Sequence, residues 1–368
     1  MYSNRPIIIL SLSFGLIFLG FNGIQQYVTT YFSSLNNPHL GFISLLLIYL
    51  FFMISSPFSL SIRNKIGTKT SLIGAATLYA TYILSLLYPS QFLILLSSTL
   101  LGIAAGLLWT SQGTYLLDAS NKVDYGKNAG IFTTIWAAGA GLGILLFGYI
   151  TATTSFTTTI IIYATITIAG TLLLTLLPKT HTQTSTQIKE KIKRPTPQII
   201  KIGLINILFM IIFGLVIGSL PIALANHFTI KVIGILGSFS FISAVLFSYY
   251  SGKISDKIGR KKLLLISLIT SLLGLLLMLT NTPTLLILGI ILISLTYAIV
   301  KTIMQAIPGD FGNKEQNVSW FNAFQSLGVV IALIIGILFQ PTMQYILTIA
   351  LIIIGTAIAY PEIKRTIN

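Results

Sequence analysis

The sequence contains no cysteine and very few acidic residues. Without cysteine there is no disulfide framework, no thiolate metal site and no cysteine nucleophile. Only 7 of the 368 residues are Asp or Glu, and 8% of all residues are charged, whereas soluble domains carry roughly 25%. A soluble protein of this composition could not cover its surface with polar groups. Because no nucleotide-binding loop, catalytic triad or metal-ligand cluster is present either, we expect no enzyme activity, no metal and no cofactor.

Long apolar runs dominate what is there. Hydrophobic residues make up 54% of the chain, and the mean hydropathy is +0.91. A helix that crosses a bilayer needs about 20 largely apolar residues, and it satisfies its own backbone hydrogen bonds in lipid. Twelve runs have this length, at about residues 7–31, 40–62, 70–88, 91–117, 128–150, 156–177, 202–226, 231–251, 262–280, 284–307, 318–339 and 342–360. The sequence therefore predicts an all-α polytopic membrane protein with twelve transmembrane helices in a lipid bilayer.

The basic residues orient the predicted spans. A net charge of +15 could indicate a nucleic-acid partner, but the basic residues lie in short loops rather than on one continuous face. If the N-terminus is cytoplasmic, 20 of the 22 Lys and Arg residues fall in cytoplasmic loops and tails, and the other two are Lys231, in an outer loop, and Lys301, inside a span. Such an asymmetry sets membrane orientation. We therefore expect no nucleic-acid partner, both termini in the cytoplasm, and the cell (plasma) membrane as the location.

A polar stretch divides the chain into two halves of six spans. The stretch is rich in Thr, Gln and Lys, and we assign it as a cytoplasmic basic linker at 179–200. It separates an N-terminal bundle, 1–178, from a C-terminal bundle, 201–368.

An internal repeat relates the two halves. The segment NKIGTK at 64–69 follows the second span, and DKIGRK at 256–261 follows the eighth. An offset of 192 residues relates these copies, and the same offset relates Asp118 to Asp310. The repeat predicts two pseudo-symmetric six-helix bundles.

The second copy is part of a longer segment, GKISDKIGRKK at 252–262. This segment resembles the loop signature of the major facilitator superfamily, G-x-x-x-D-R/K-x-G-R-R/K. The resemblance implies that superfamily's fold and its alternating-access cycle, in which the loop latches neighbouring helices in one state. Asp256 suits the role because a carboxylate can cap a helix N-terminus. The conformational latch implied here consists of Gly252, Asp256, Gly259 and Arg260.

The fifth span carries a second pattern of the superfamily. Gly130, Gly139 and Gly143 reproduce the G-x8-G-x3-G spacing of its antiporter motif, but Ile144 stands where the motif has proline. Close helix packing explains the same glycines without antiport. Both interpretations are open at this point.

Further segments resemble the ion-channel-regulator branch of the superfamily, the Unc-ninety-three-like proteins. The most specific is LGIAAGLLWTSQGTYL at 101–116, supported by LGFIS at 40–44; SWFNAFQSLG at 319–328 is similar to the branch's eleventh helix. The resemblance implies an alternative function, a non-transporting regulator or trafficking partner of another membrane protein. It implies no particular substrate.

Polar stripes mark spans that line the central cavity in this superfamily. The first and fourth spans each carry a polar or aromatic stripe at helical spacing. Side-chain amides are costly in hydrocarbon, so such a stripe either borders a cavity or bonds neighbouring helices, and packing also explains an aromatic stripe. The candidate cavity residues of these spans are Asn22, Gln25, Gln26, Trp109, Gln112 and Tyr115.

Lys301 is the one charged residue clearly inside a span. Charged residues at membrane depth are rare and usually functional. Lys301 can bind an anionic substrate or serve in gating; alternatively it pairs with Asp310 or Asp118, or its ammonium snorkels to the inner interface. The candidate cavity residues of the tenth and eleventh spans are Tyr297, Lys301, Gln305, Asn322 and Gln325.

All seven acidic residues fall in predicted cytoplasmic loops, tails or helix ends. A proton-coupled carrier usually needs a carboxylate or histidine at membrane depth whose pKa can change. We therefore interpret the chain as a secondary transporter that moves a small solute by alternating access, without carboxylate-driven proton coupling. The competing hypothesis is the regulator that binds a membrane-protein partner. A channel is disfavoured because no filter motif is visible.

Overall fold

The computed structural model describes residues 5–88, 90–120, 125–178, 194–258, 260–310 and 314–366. These residues form thirteen α-helices and one 3-10 turn, Leu174–Leu176, and contain no strand. The helices are α1 (Arg5–Ser34), α2 (Pro38–Ile66), α3 (Thr68–Ser85), α4 (Gln91–Asp118), α5 (Tyr125–Thr153), α6 (Phe156–Leu173), α7 (Pro197–Gly218), α8 (Leu220–Ala225), α9 (Ile230–Ile258), α10 (Arg260–Met278), α11 (Pro283–Asp310), α12 (Lys314–Leu338) and α13 (Pro341–Thr366).

Thirteen helices make twelve spans because α7 and α8 continue as one apolar stretch, Pro197–Ala225. Within the described residues, nine stretches are long and apolar enough to cross a membrane. The shorter apolar segments Lys262–Met278 and Pro341–Ala357 belong to α10 and α13, and α3 is the twelfth unit, with 18 residues. The predicted all-α fold with twelve membrane helices is confirmed.

The seventh span is divided where the sequence predicts one continuous helix, 202–226. α7 ends at Gly218, and α8 begins at Leu220 with Pro221 in its first turn. Proline has no N–H to donate, and its ring excludes the carbonyl four residues earlier. In the first turn of a helix a backbone N–H has no acceptor within the helix, so a proline there removes no helical hydrogen bond. The break therefore falls directly before the proline.

The same span begins earlier than predicted, at Pro197. Its N-cap is Thr196, whose hydroxyl oxygen accepts a hydrogen bond from the backbone N–H of Ile199 at 3.4 Å. The start of α7 therefore falls inside the stretch assigned to the linker, 179–200. Residues 179–193 of that stretch lie outside the described residues.

The helices of the two halves pack in the same pattern. In the first half, α1 packs against α5 and α6, and α4 packs against α2 and α3. In the second half, α7 packs against α12 and α13, and α11 packs against α9 and α10. Each pairing thus has a counterpart six spans later. The halves meet through α2 with α12 and α5 with α9, which the same symmetry exchanges. The two predicted pseudo-symmetric six-helix bundles are confirmed.

A buried hydrogen bond between two serines joins the corresponding pair of helices in each half. The Oγ atoms of Ser44 and Ser98 lie 2.9 Å apart between α2 and α4. Those of Ser240 and Ser294 lie 3.3 Å apart between α9 and α11. In each half the two serines are separated by 54 residues, but the second pair lies 196 positions after the first, about one helical turn beyond the offset of 192 that relates these helices. A hydroxyl buried away from water is stable only with a partner, and each half supplies it in the same way.

Glycines allow α5 to lie directly against α1. A Cβ added to Gly139 would meet the backbone carbonyl of Gly15, and one added to Gly143 would meet that of Leu19. A Cβ on Gly130 would meet nothing within 4 Å. Small residues bring membrane helices into close contact in this way. Two of the three glycines with antiporter spacing therefore have a packing role.

The bundle has two faces, which we name by the chain ends. Twelve antiparallel spans bring the start of α1 and the end of α13 to one face, the termini face; the opposite face is the far face. Ser34 ends α1 at the far face, and Gln198 lies in the first turn of α7 at the termini face; both are exposed.

Single cysteines at Ser34 and Gln198 are expected to react with a membrane-impermeant thiol reagent from opposite sides of the membrane. Ser34 should react from outside, because the basic loops are expected to be cytoplasmic. The chain has no other cysteine, so wild-type protein is the blank. Labelling of both cysteines from the same side would contradict twelve spans.

Candidate substrate cavity

A cavity that we call the main cavity lies between the two halves and, with the space open to solvent, has a volume of about 1110 Å³. Its wall comes from α4 and α5 of the first half and from α7, α9, α11 and α12 of the second. The contributing part of α4 runs from Trp109 to Leu116, near the end of that helix, and that of α12 runs from Val318 to Gln325, near its start. Both ends belong to the termini face. The main cavity therefore extends from the middle of the bundle toward the termini face.

A second cavity, the deep chamber, adjoins the main cavity and, with the space open to solvent, has a volume of about 520 Å³. Asn22 and Gln25 of α1 line it, together with aromatic rings of α2 and α3. Six residues line both cavities, and Trp109, Lys301 and Gln325 are three of them. These three side chains therefore stand where one cavity passes into the other.

Four side chains form what we call the central cluster: Trp109, Trp136, Lys301 and Gln325. The Lys301 ammonium lies 3.3 Å from the Oε1 atom of Gln325, to which it donates. It also lies 5.6 Å from the ring centroid of Trp109 and 5.4 Å from that of Trp136. The two indoles meet edge to face at 5.6 Å. Indole faces attract cations because of their negative quadrupole, so the first half stabilises a cation that the second half supplies.

The central cluster follows the internal symmetry of the chain. Lys301 lies 192 positions after Trp109, which is the offset of the repeated loops. Gln325 lies 189 positions after Trp136. The offset of 189 also relates Gly139 on α5 to Gly328 on α12. Gly139 packs on the carbonyl of Gly15, and Gly328 packs on the carbonyl of Ile207. These two carbonyls, on α1 and α7, are themselves 192 positions apart. Equivalent positions thus hold two indoles in one half and an ammonium with an amide in the other.

The polar face of α1 divides between the deep chamber and the far face. Gln25 lines the deep chamber and donates to the Tyr49 hydroxyl at 2.8 Å. Gln26 donates instead to the carbonyl of Val216 at 3.2 Å. Residues one position apart point about 100° apart around a helix, so adjacent amides cannot share one surface.

Three hydrogen bonds join the halves toward the far face, and we name them the far-face seal. In addition to the Gln26 bond, Thr29 donates to the carbonyl of Gly218 at 2.9 Å, and the Tyr27 hydroxyl donates to the carbonyl of Ile230 at 3.2 Å. All three donors are on α1, and all three acceptors belong to the second half. The far-face seal therefore ties α1 to the other half toward the far face, where Val216 also lines the main cavity.

Tyr115 lies away from both cavities. It is fully buried, and its hydroxyl donates to the carbonyl of Pro178 at 3.2 Å. Each step of three residues turns back about 60° around a helix, so Tyr115 points about 120° away from Trp109.

The remaining candidates are placed as follows. Gln112 and Tyr297 line the main cavity, as does Asn322. The side chain of Gln305 lies outside those that the structure describes.

Asn206 and Trp136 are among the cavity-lining residues that sequence reasoning missed. Asn206 is on α7, lines the main cavity, and donates to the carbonyl of Phe321 at 3.4 Å. It is the only amide side chain between the first turn and the end of α7, and this isolated polar residue in an apolar span could have been identified from the sequence. Trp136 is on α5, a span that we did not expect to line the centre. The offset to Gln325 is the signal that points to it.

The structure describes the backbone of three of the four residues of the implied latch and none of their side chains. Gly259 lies outside the described residues, and the same is true of the side chains of Asp256 and Arg260. Gly252 is part of α9, and Arg260 begins α10. The latch therefore stays a prediction from the resemblance.

The described cavity walls combine one ammonium with amides, hydroxyls and aromatic rings. Among the residues that the structure describes, no group of three or more His, Cys, Asp or Glu is placed to hold a metal ion. The described lining of the two cavities contains one charged side chain, Lys301.

Comparison with known proteins identifies the family. The family model described as Major Facilitator Superfamily matches residues 7–202 and, a second time, residues 202–365. A crystal structure of a POT family transporter in complex with 5-aminolevulinic acid has a TM-score of 0.79 to this chain, covers 97% of it and 95% of that chain, and is 14% identical. The nucleoside transporter NupG has a TM-score of 0.69 and 14% identity, covering 97% of this chain and 99% of its own. At this identity the likeness shows the fold alone.

Curated relatives match a shorter part of the chain. UNC93-like protein 3 of Arabidopsis thaliana is 36% identical over 129 residues, which are 34% of this chain and 27% of that protein. UNC93-like protein MFSD11 of Xenopus tropicalis is 37% identical over 134 residues, 36% of this chain and 29% of that protein. The putative potassium channel regulatory protein unc-93 of Caenorhabditis elegans is 34% identical over 111 residues, 30% of this chain and 15% of that protein. The match thus spans less than a third of each of these relatives. This chain belongs to the major facilitator superfamily and, within it, resembles the UNC93-like branch.

Proposed function

We propose that this chain is a secondary transporter that moves a small solute across a membrane by alternating access. The observation that carries the proposal is the position of the main cavity, whose wall comes from both halves while the far-face seal joins the halves toward the far face. Two rigid halves that meet around a central site, closed on one side, are what rocking requires.

The proposed cycle uses the two faces in turn. We assign the termini face to the cytoplasm of a cell whose plasma membrane holds the protein, because 20 of the 22 basic residues lie on that side under the twelve-span topology. A solute reaches the central cluster from this face through the main cavity. Opening to the other side requires that the three hydrogen bonds of the far-face seal break, at about 1 kcal/mol each. A solute shifts this equilibrium only by its difference in affinity for the two states.

Solute flux tests the proposal. Purified protein in lipid vesicles is expected to give saturable uptake or counterflow of at least one class of solute, where protein-free vesicles give none. A panel of anionic, neutral and cationic small organic solutes covers the cavity's chemistry. Absence of saturable flux for the whole panel, together with a membrane protein that co-purifies in fixed ratio, would contradict transport.

The second candidate function is regulation of another membrane protein. One observation favours it, namely that a relative matching 30% of this chain is named as a putative potassium channel regulatory protein. A regulator needs no passage through the central cluster. Variants of that cluster should then leave partner binding unchanged, whereas a carrier loses its flux.

Asp256→Asn is expected to shift the balance between the two states without unfolding the protein. The carboxylate implied for the latch stabilises one state by capping a helix at a moving contact, an effect on the order of 1–3 kcal/mol. Accessibility of single cysteines on each side of the cavity measures the shift. Lys253→Gln, in the same loop but at a variable position of the signature, serves as the control. Unchanged accessibility on both sides in Asp256→Asn would rule out the latch.

A further inference from the structure

Charge on the cavity walls is of one sign. Lys301 is the one charged side chain among the described lining residues of the two cavities. An ammonium carries three N–H donors, and among the described residues one acceptor oxygen, Oε1 of Gln325, lies in reach. The two indole faces compensate the charge only in part. A cation enclosed by low-dielectric walls is most stable with a counter-charge beside it.

Two further donors on these walls have no acceptor. The side-chain N–H groups of Asn322 and Trp136 are buried, and neither has a hydrogen-bond partner among the described residues. Asn322 lines the main cavity, and Trp136 lines the deep chamber, each together with Lys301. A buried donor without an acceptor is unfavourable and rare in native proteins. These donors and the ammonium together fit a ligand that supplies acceptor oxygens.

Aromatic rings surround these donors. Phe213 stacks on Tyr297 with centroids 5.4 Å apart. Phe241 meets the edge of Tyr297 at 5.8 Å and that of Trp136 at 5.8 Å. Together with the indole of Trp109 they form a continuous ring-lined surface from the central cluster into the deep chamber. Such a surface favours a flat or apolar body.

From this combination we infer that the central cluster binds a monoanionic organic carboxylate, with the carboxylate at Lys301 and an aromatic body against the surrounding rings. The inference rests on the proposed transport function and names its class of solute. The carboxylate accepts hydrogen bonds from the ammonium beside the two indoles, and Asn322 and Trp136 are the nearby walls' remaining buried donors without a partner among the described residues.

Other classes of solute fit the walls less well. A dianion brings a second charge that no described side chain of the walls neutralises. A small anion without a ring leaves the aromatic surface unused, and an organic cation faces Lys301 with a like charge. A neutral ring provides no counter-charge for the ammonium. One negative charge on one apolar body is the combination that matches.

Binding to purified protein tests the inference without transport. The probes are benzoate and 2-naphthoate, the neutral analogue benzamide, the ringless anion acetate and the dianion phthalate. The readouts are the unfolding temperature of wild-type protein and the fluorescence of Trp320→Phe, which leaves Trp109 and Trp136 as the reporters of a chain with three tryptophans. The aryl monocarboxylates should half-saturate at concentrations roughly tenfold or more below benzamide, acetate and phthalate, as a charge-assisted hydrogen bond predicts.

Lys301→Met should remove the preference for benzoate over benzamide. The control is Lys231→Met. Lys231 lies over the ring of Tyr149, 5.3 Å from its centroid and outside both cavities. This variant should keep the preference for benzoate over benzamide. Equal binding of benzoate and benzamide to wild-type protein, or an unchanged preference in Lys301→Met, would overturn the inference. If Lys301→Met does not fold, the wild-type comparison of charged and neutral probes decides alone.

The same measurements separate this inference from the transport proposal. Selective benzoate binding with no saturable benzoate flux would overturn transport and support the chemistry of the site. Saturable flux of neutral or cationic solutes, with no preference for benzoate in binding, would overturn the inference and support transport.

Discussion

Lys301→Met is expected to abolish saturable transport and to leave the protein folded. Methionine keeps an apolar side chain of similar length and removes the ammonium. The variant loses one hydrogen bond and two cation–π contacts, but it also loses a charge that is unfavourable in a low-dielectric site. The free energy of unfolding should therefore change by no more than about 1 kcal/mol. Flux of an anionic solute should fall by roughly 100-fold, because a charge-assisted hydrogen bond contributes up to about 3 kcal/mol.

The competing interpretation of Lys301 is a structural ion pair with Asp310, whose side chain lies outside those that the structure describes. In that case Lys301→Met leaves an acid partly buried and destabilises the protein by about 3–5 kcal/mol. Adding Asp310→Asn should then recover much of the loss. Unfolding temperatures of both single variants and the double variant distinguish the two interpretations. Rescue by the second substitution would remove Lys301 from the candidate site.

Gly143→Leu is expected to have the largest effect on stability of any single substitution proposed here. A Cβ at this position would meet the backbone carbonyl of Leu19, and backbone cannot move aside as a flexible side chain can. The α1–α5 contact would have to open along its length. We expect a loss of about 3 kcal/mol or more of folding free energy. Unfolding temperature and the yield of monodisperse protein measure it.

Gly130→Ala is the matched control on the same helix. The added Cβ meets nothing within 4 Å, and alanine favours a helix over glycine by roughly 0.5–1 kcal/mol. This variant should be as stable as wild type or more so. If Gly143→Leu were as stable as Gly130→Ala, packing would not explain the glycines, and the antiport interpretation of their spacing would gain support.

The fold could be predicted because its signals are local. Each span corresponds to its own run of apolar residues, which can be identified without knowledge of the tertiary structure. The symmetry was visible in two six-residue segments at 64–69 and 256–261. The division at Ser219 was missed because hydropathy does not detect a break in the backbone. Pro221 was the residue that indicated one, since proline is disfavoured inside a helix.

The candidate site was predictable only in part, because it depends on packing between halves. Trp109, Lys301 and Gln325 were expected near the centre, and the structure brings them together. Trp136 was missed because its spacing on α5 gives no sign of which helix it faces. Gln26 was expected with Gln25, but contact with the second half directs it to Val216. Helical spacing specifies the direction of a side chain around its own helix, and the partner at that direction comes from the tertiary structure.

The central claim is that the two halves rock about the cavity, and paired distances between spin labels test it most directly. One pair is Ser34 with Asn226, across the halves at the far face, and the other is Lys65 with Lys262, across the halves at the termini face; all four residues are exposed, and the chain has no native cysteine to interfere. In lipid vesicles each pair should show two distance populations. Weakening the far-face seal with Gln26→Leu and Thr29→Val, at about 1 kcal/mol per hydrogen bond, should favour the longer distance at the far face and the shorter one at the termini face. A single distance in each pair that the seal variants leave unchanged, or a change of the same sign at both faces, would contradict the account.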